Sequence, residues 1–136
     1  MGNCLGRNST SNSDLRTDFS GGNVHVILSR ENWDQKISEA AKEGKIVVAN
    51  FSASWCGPCR MMAPVYTQLS LNNPHFVFLT VDVDDLMDLS SSWNIPATPT
   101  FFFLKDGQQI DKLVGANKPE LERKMLALAE SFERSM

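Results

Sequence analysis

No apolar run in the 136 residues approaches 18, and the N-terminus lacks the apolar core of a secretory signal. Both absences predict a chain that neither crosses a membrane as a helix nor enters the secretory route. No basic run stands behind the net charge of −3, so the Lys/Arg stripe that neutralises phosphates is missing and nucleic acid is excluded as the main partner. Cysteine is scarce and odd in number, at Cys4, Cys56 and Cys59. That is not the paired framework of a small secreted scaffold, so a reducing, cytoplasmic setting is expected. There is no second C-x-x-C, and neither His25 nor His75 has ligand-like spacing to the first, so no metal site is expected.

What is present divides in two. Residues 1–23 are mostly Asn, Ser, Gly, Thr, Arg and Asp, with Leu5, Leu15 and Phe19 scattered among them. Such a segment cannot offset its ordering entropy by burial, so a flexible N-terminal extension is expected over 1–23 and one folded domain over 24–136.

The domain reads βαβαβαββα. A short strand from Val24 ends at Leu28, and Ser29 is placed as the N-cap of a helix running to Glu43 and closed by Gly44. Trp33, Ile37, Ala40 and Ala41 fall on one face of that helix. Ile46–Phe51 is an apolar run broken only by Asn50, as expected of a central strand covered on both sides. A second helix follows, with Met62, Val65, Tyr66 and Leu69 on one face and Pro64 predicting a kink. Phe76–Val81 reads as a strand, and Leu86, Leu89 and Trp93 as a short helix. Thr100–Leu104 and Gln109–Val114 flank the hairpin turn Asp106-Gly107. A last helix carries Leu121, Met125, Leu128 and Phe132. The fold class is α/β, with a central mixed sheet covered by helices on both faces.

The chemistry sits where the central strand feeds the second helix, at Trp55-Cys56-Gly57-Pro58-Cys59. Two cysteines three apart in a first helical turn have Cβ atoms about 5–6 Å apart, which suits a disulfide that closes and reopens. The helix N-terminus favours a thiolate by about 0.3–1 kcal/mol, and by up to about 2 kcal/mol in partly buried geometry. A larger effect requires hydrogen bonds to the sulfur, such as the N–H of Cys59. Cys56 precedes the helix and is expected to be the more exposed sulfur, hence the nucleophile; Cys59 then resolves the mixed disulfide. Two inert core cysteines remain the bland alternative, though Gly57-Pro58 is an odd way to fill a core.

The string Trp55–Cys59, with Thr98-Pro99-Thr100 about 40 residues later and Gly115-Ala116 after the hairpin, resembles thioredoxin over roughly residues 24 to 132. Ala53-Ser54 and Val81-Asp82-Val83-Asp84 are similar to the plant h-type members, and the polar extension to those with a cysteine near the start. The resemblance implies the thioredoxin fold, a protein disulfide reductase with no bound cofactor, and Cys56–Cys59 as its redox-active disulfide. It implies a cis Pro99 and a target-receiving rim of Trp55, Gly57, Pro58, Thr98, Pro99, Gly115 and Ala116. For Trp55, a place in the core is the bland alternative. Family members usually carry a buried Asp where this chain has Asn50, and often a Lys where it has Thr80. Losing both charges together fits electrostatics, since removing one partner of a buried pair costs about 3–5 kcal/mol. Asn cannot act as a base, so water is the expected acceptor of the Cys59 proton.

Disulfide-containing proteins are the implied targets, with thioredoxin reductase or glutathione/glutaredoxin as electron donor. An oxidase or isomerase of the same fold, and a non-catalytic binding or chaperone module, are the rival functions. Finally, Gly2 after Met1 is a myristoylation candidate and Cys4 a palmitoylation or redox candidate, with Gly6 where the simple motif has Ser or Thr. Acylation of both predicts peripheral attachment to the plasma membrane; an unmodified Cys4, about 25 Å in r.m.s. reach from the domain, predicts a redox relay instead.

Overall fold

The computed structural model describes residues 22–135. Gly2, Cys4 and the rest of the extension to Gly21 lie outside the described residues, as does the side chain of Phe132.

Five strands form one sheet in the order β1-β3-β2-β4-β5, with β1 at Val24–Val26, β2 at Ile46–Ser52, β3 at Phe76–Asp82, β4 at Thr100–Lys105 and β5 at Gln108–Val114. β3 runs parallel to both β1 and β2, while β4 is antiparallel to β2 and β5, which is the mixed sheet expected. Four helices are described: α1 (Arg30–Glu43), α2 (Gly57–Asn72), α3 (Met87–Ser91) and α4 (Lys118–Ser135).

Strand alternation splits the core into two layers. Val48, Phe78, Phe101 and Phe103 face Met62, Tyr66 and Leu69 of α2 and Leu121 and Met125 of α4. Their neighbours Val47, Ala49, Leu79, Val81 and Phe102 face Trp33 and Ala40 of α1 and Leu89 of α3. Both faces of β2 are therefore buried along its whole length. The Tyr66 hydroxyl, 2.7 Å from the carbonyls of Val48 and Leu79, ties α2 to both central strands.

Local chemistry sets the boundaries. Ser29 Oγ accepts the Asn32 N–H while Asn32 Oδ1 accepts the Leu28 N–H, each at 3.0 Å, so two donors at the start of α1 are satisfied reciprocally. Gly44 closes α1 in the left-handed region (φ 68). Asp106 and Gly107 both take positive φ, as a tight hairpin turn demands. Pro64 lies inside α2, which the structure shows as one helix. At the other boundary, the Asn23 N–H donates to Ser70 Oγ (2.9 Å), and a Cβ on Gly22 would meet Thr67 Cγ2 at 2.5 Å. The last two residues of the expected extension are thus fixed against α2, and glycine is required by that close approach. Among the described residues no helix is long and apolar enough to cross a membrane.

Candidate active site

Where β2 ends, the Cys56 N–H bonds back to the Ala53 carbonyl (3.1 Å) and turns the chain into α2. Cys56 has extended backbone (φ −86, ψ 114) and serves as the N-cap; Cys59 is the third helical residue. Cys56 thus stands just ahead of the helix, as expected, with Cys59 in its first turn. Cys56 Sγ sits where a capping Ser or Asp oxygen would and accepts the Cys59 N–H at 3.2 Å. That bond and the positive end of the helix both favour a thiolate on Cys56. The two residues are disulfide-bonded, with Cα atoms 5.3 Å apart.

The expected difference in exposure is not seen between the two residues. Cys56 and Cys59 are equally buried, each 5% exposed, in one cluster with Ala53 against which Val83 packs. What separates the two sulfurs is their surroundings. Cys56 Sγ lies 3.5 Å from the Thr98 carbonyl oxygen, within reach of a reduced S–H donating to it, whereas Cys59 belongs to the helix.

The residues expected at the rim converge here. The Thr98-Pro99 bond is cis. The Gly115 N–H donates to the Pro99 carbonyl (2.8 Å) with Gly115 at φ 103, so the end of β5 is held against the Thr98-Pro99 turn. Gly57, Pro58 and Ala116 are exposed, and Pro99 is buried. Trp55 is not a core residue: it is 71% exposed, and its indole N–H donates to Asp84 Oδ2 at 2.7 Å. Between Trp55, Val83, Ile95, Ala97 and Thr98 opens a cleft of about 320 Å³. A second cleft of about 320 Å³ lies at the start of β2 and β3, bordered by Lys36, Glu43 and Lys45, and no cysteine lines it.

Asn50 and Thr80 are register partners on β2 and β3, both buried, with Asn50 Nδ2 donating to Thr80 Oγ1 at 3.5 Å. Thr80 Oγ1 in turn donates to the Asn50 carbonyl at 3.4 Å. These are long bonds, and Asn50 Oδ1 has no partner. Beside them Asp82 accepts the N–H groups of Asp84 (2.8 Å) and Asp85 (3.2 Å). Burial pushes its carboxyl pKa up, the two N–H groups oppose that, and the charges of Asp85 and Asp84 add to it. Sequence reasoning assigned no role to Asp82 or Asp84, although the Val81–Asp84 string was itself the available signal. His25 has its pKa lowered, first by partial burial and then by Lys36. Among the described residues no group of three or more His, Cys, Asp or Glu is placed to hold a metal.

The thioredoxin family model matches residues 24–127. The chain is similar to thioredoxin H4-1 of Oryza sativa subsp. japonica, 66% identical over 131 residues that cover 96% of this chain and 99% of that protein. It is also similar to thioredoxin H9 of Arabidopsis thaliana, 55% identical over 136 residues that cover 99% and 97%. Among solved structures, a poplar wild-type thioredoxin h superposes with a TM-score of 0.78 at 65% identity, covering 79% of this chain and 97% of that one. A thioredoxin from Nicotiana alata superposes with a TM-score of 0.75 at 37% identity, covering 78% and 92%.

Proposed function

Since this chain belongs to the thioredoxin family and is a protein disulfide reductase with a redox-active disulfide as its active site, we propose that Cys56 attacks the target and Cys59 resolves it. The observation that carries the assignment is the Cys59 N–H held on Cys56 Sγ at the N-cap of α2, beside the Thr98 carbonyl.

In the reduced protein the Cys56 thiolate attacks one sulfur of a target disulfide. The target's S–S bond breaks, its other sulfur leaves as a thiolate, and a mixed disulfide forms. The Cys59 thiolate then attacks Cys56 Sγ, expelling the second target sulfur and closing Cys56–Cys59. Trp55, Gly57, Pro58, Thr98, Pro99, Gly115 and Ala116 receive the target chain, while Asn50 and Thr80 form an uncharged pair beneath α2. Cys56→Ser is expected to abolish reduction, and Cys59→Ser to accumulate the mixed disulfide. Normal turnover by Cys59→Ser, with trapping by Cys56→Ser, would reverse the roles.

Electrons return to the disulfide from thioredoxin reductase or from glutathione with glutaredoxin; turnover with each donor in turn separates the two. The proposal extends to the N-terminus, where Met1-Gly2-Asn3-Cys4 supports double acylation and attachment to the cytoplasmic face of the plasma membrane. A relay thiol at Cys4 is the competing reading.

A further inference from the structure

The exchange chemistry leaves the buried carboxylate of Asp82 and the buried hydroxyl of Ser52 unused. Asn50 lies opposite Thr80 and Ser52 opposite Asp82 in the β2–β3 register. The alternation that sends Val48 and Phe78 to the α2 face sends these four side chains there too. All four residues are buried. Asn50 Oδ1 and Ser52 Oγ, two positions apart on the same face, have no hydrogen-bond partner. Buried polar atoms are rarely left so, and a pair of this kind suits a bridging water. The row also runs towards Cys59, which is buried one turn before Met62 and Ala63 on the face of α2 that packs on this side of the sheet.

Resolution of the mixed disulfide requires Cys59 to lose its proton inside the protein, and Asn50 cannot take it. We propose that Asp82 accepts the Cys59 proton, through a water held between Asn50 Oδ1 and Ser52 Oγ. Asp82 thus acts at one remove from the sulfurs. The inference rests on Cys59 being the resolving thiol. In the balanced step, the Cys59 thiol passes its proton along this path to the Asp82 carboxylate. The thiolate electron pair forms the bond to Cys56 Sγ. The bond between Cys56 and the target sulfur breaks, and that sulfur leaves with its electron pair and is protonated afterwards. The target gains two electrons, the protein loses two, and no outside oxidant or reductant enters.

The electrostatics agree. Burial raises the Asp82 pKa, with Asp85 and Asp84 acting in the same direction. The N–H groups of Asp84 and Asp85 act against it. β2 places the uncharged Ser52 opposite it, and β1 ends opposite Thr80. The only charged residue of α2 is Arg60, whose guanidinium donates to the Ser54 carbonyl (3.1 Å).

The test follows the two thiol steps separately in the full chain, by rapid mixing with a protein disulfide from pH 5 to 9. Asp82→Asn is expected to slow resolution at pH 7 by about tenfold or more and to change the shape of its pH profile. Formation of the mixed disulfide, and alkylation of Cys56, should keep the wild-type rate. Ser52→Ala, which removes a hydroxyl with no partner, should slow the same step and serves the test if Asp82→Asn does not fold. Placing a carboxyl at the site of Asn50 should restore resolution in Asp82→Asn. Resolution rates and pH profiles like wild type in both single variants would overturn the path. Normal turnover by Cys59→Ser would instead overturn the cysteine roles on which it rests.

Discussion

The indole N–H of Trp55 reaches 29 residues along the chain to Asp84 Oδ2, 2.7 Å away, while the ring stays in solvent. A large apolar ring beside a reactive sulfur is thereby held in one orientation by a charged acceptor. Asp84→Ala should free the ring. At an exposed site the stability change should stay below about 1 kcal/mol. Reduction of a protein disulfide should lose roughly 3–10-fold in kcat/KM, equivalent to about 1 kcal/mol of lost positioning. A small aromatic disulfide, which needs no rim, should be reduced at the wild-type rate. Equal losses on both substrates would place the effect on the sulfurs rather than on the rim.

Gly115 supports the rim from the other side. Its φ of 103 is strained for any residue with a Cβ, yet a Cβ built there would meet nothing within 4 Å. Substitution therefore tests backbone strain separately from packing. Gly115→Ala should cost about 1–3 kcal/mol, read from a urea midpoint, and should weaken target reduction if relaxation breaks the bond to Pro99. An unchanged midpoint would mean that the backbone adapts without strain.

Much of this architecture is legible in the sequence because the signals are local. Ser29 and Gly44 bound α1, Asp106-Gly107 makes the hairpin, and the apolar run of β2 announces a strand buried on both faces. The C-x-x-C spacing likewise announces the disulfide. The rest depends on what packs against what. Cys56 and Cys59 are equally covered because they pack in one cluster with Ala53, against which Val83 lies, and no spacing rule contains that. Gly22 reads as part of a tail, yet its missing Cβ is what lets the chain approach Thr67. Asp82 and Asp84 sit two apart in one acidic string; one is buried and the other holds an exposed indole, a distinction made only by the elements around them.

The uncharged Asn50–Thr80 pair gives a pH-dependent expectation. Asn50→Asp places a carboxyl opposite Thr80, with no cation beside it, on the face where burial already raises Asp82. Its folded pKa should therefore exceed the unfolded value of about 3.9. Below that value the group is protonated in both states and costs nothing by ionisation. As pH rises from about 4 through the folded pKa, the folded state binds more protons than the unfolded state and stability falls. A tenfold weaker acid in the folded state corresponds to about 1.4 kcal/mol, so a lowered urea midpoint at pH 7 should return towards wild type near pH 3–4. A midpoint unmoved or raised at pH 7 would show that the pocket accommodates the charge.

The N-terminal proposal ties two residues together through the strength of lipid anchors. A single myristoyl chain on Gly2 gives an association constant of only about 10⁴ M⁻¹, and Arg7 alone is no polybasic patch. Stable attachment therefore needs Cys4 acylated as well, and an acylated Cys4 cannot serve as a redox thiol. Gly2→Ala should release the protein into the soluble fraction of the cell. Cys4→Ser should weaken membrane retention while leaving dithiothreitol-driven reduction by Cys56 and Cys59 intact. Fractionation of both variants beside the wild type, with glutathione-driven turnover measured on the same preparations, separates the two roles. A wholly soluble wild type would remove the anchor. Loss of glutathione-driven turnover alone in Cys4→Ser would assign Cys4 to electron delivery instead.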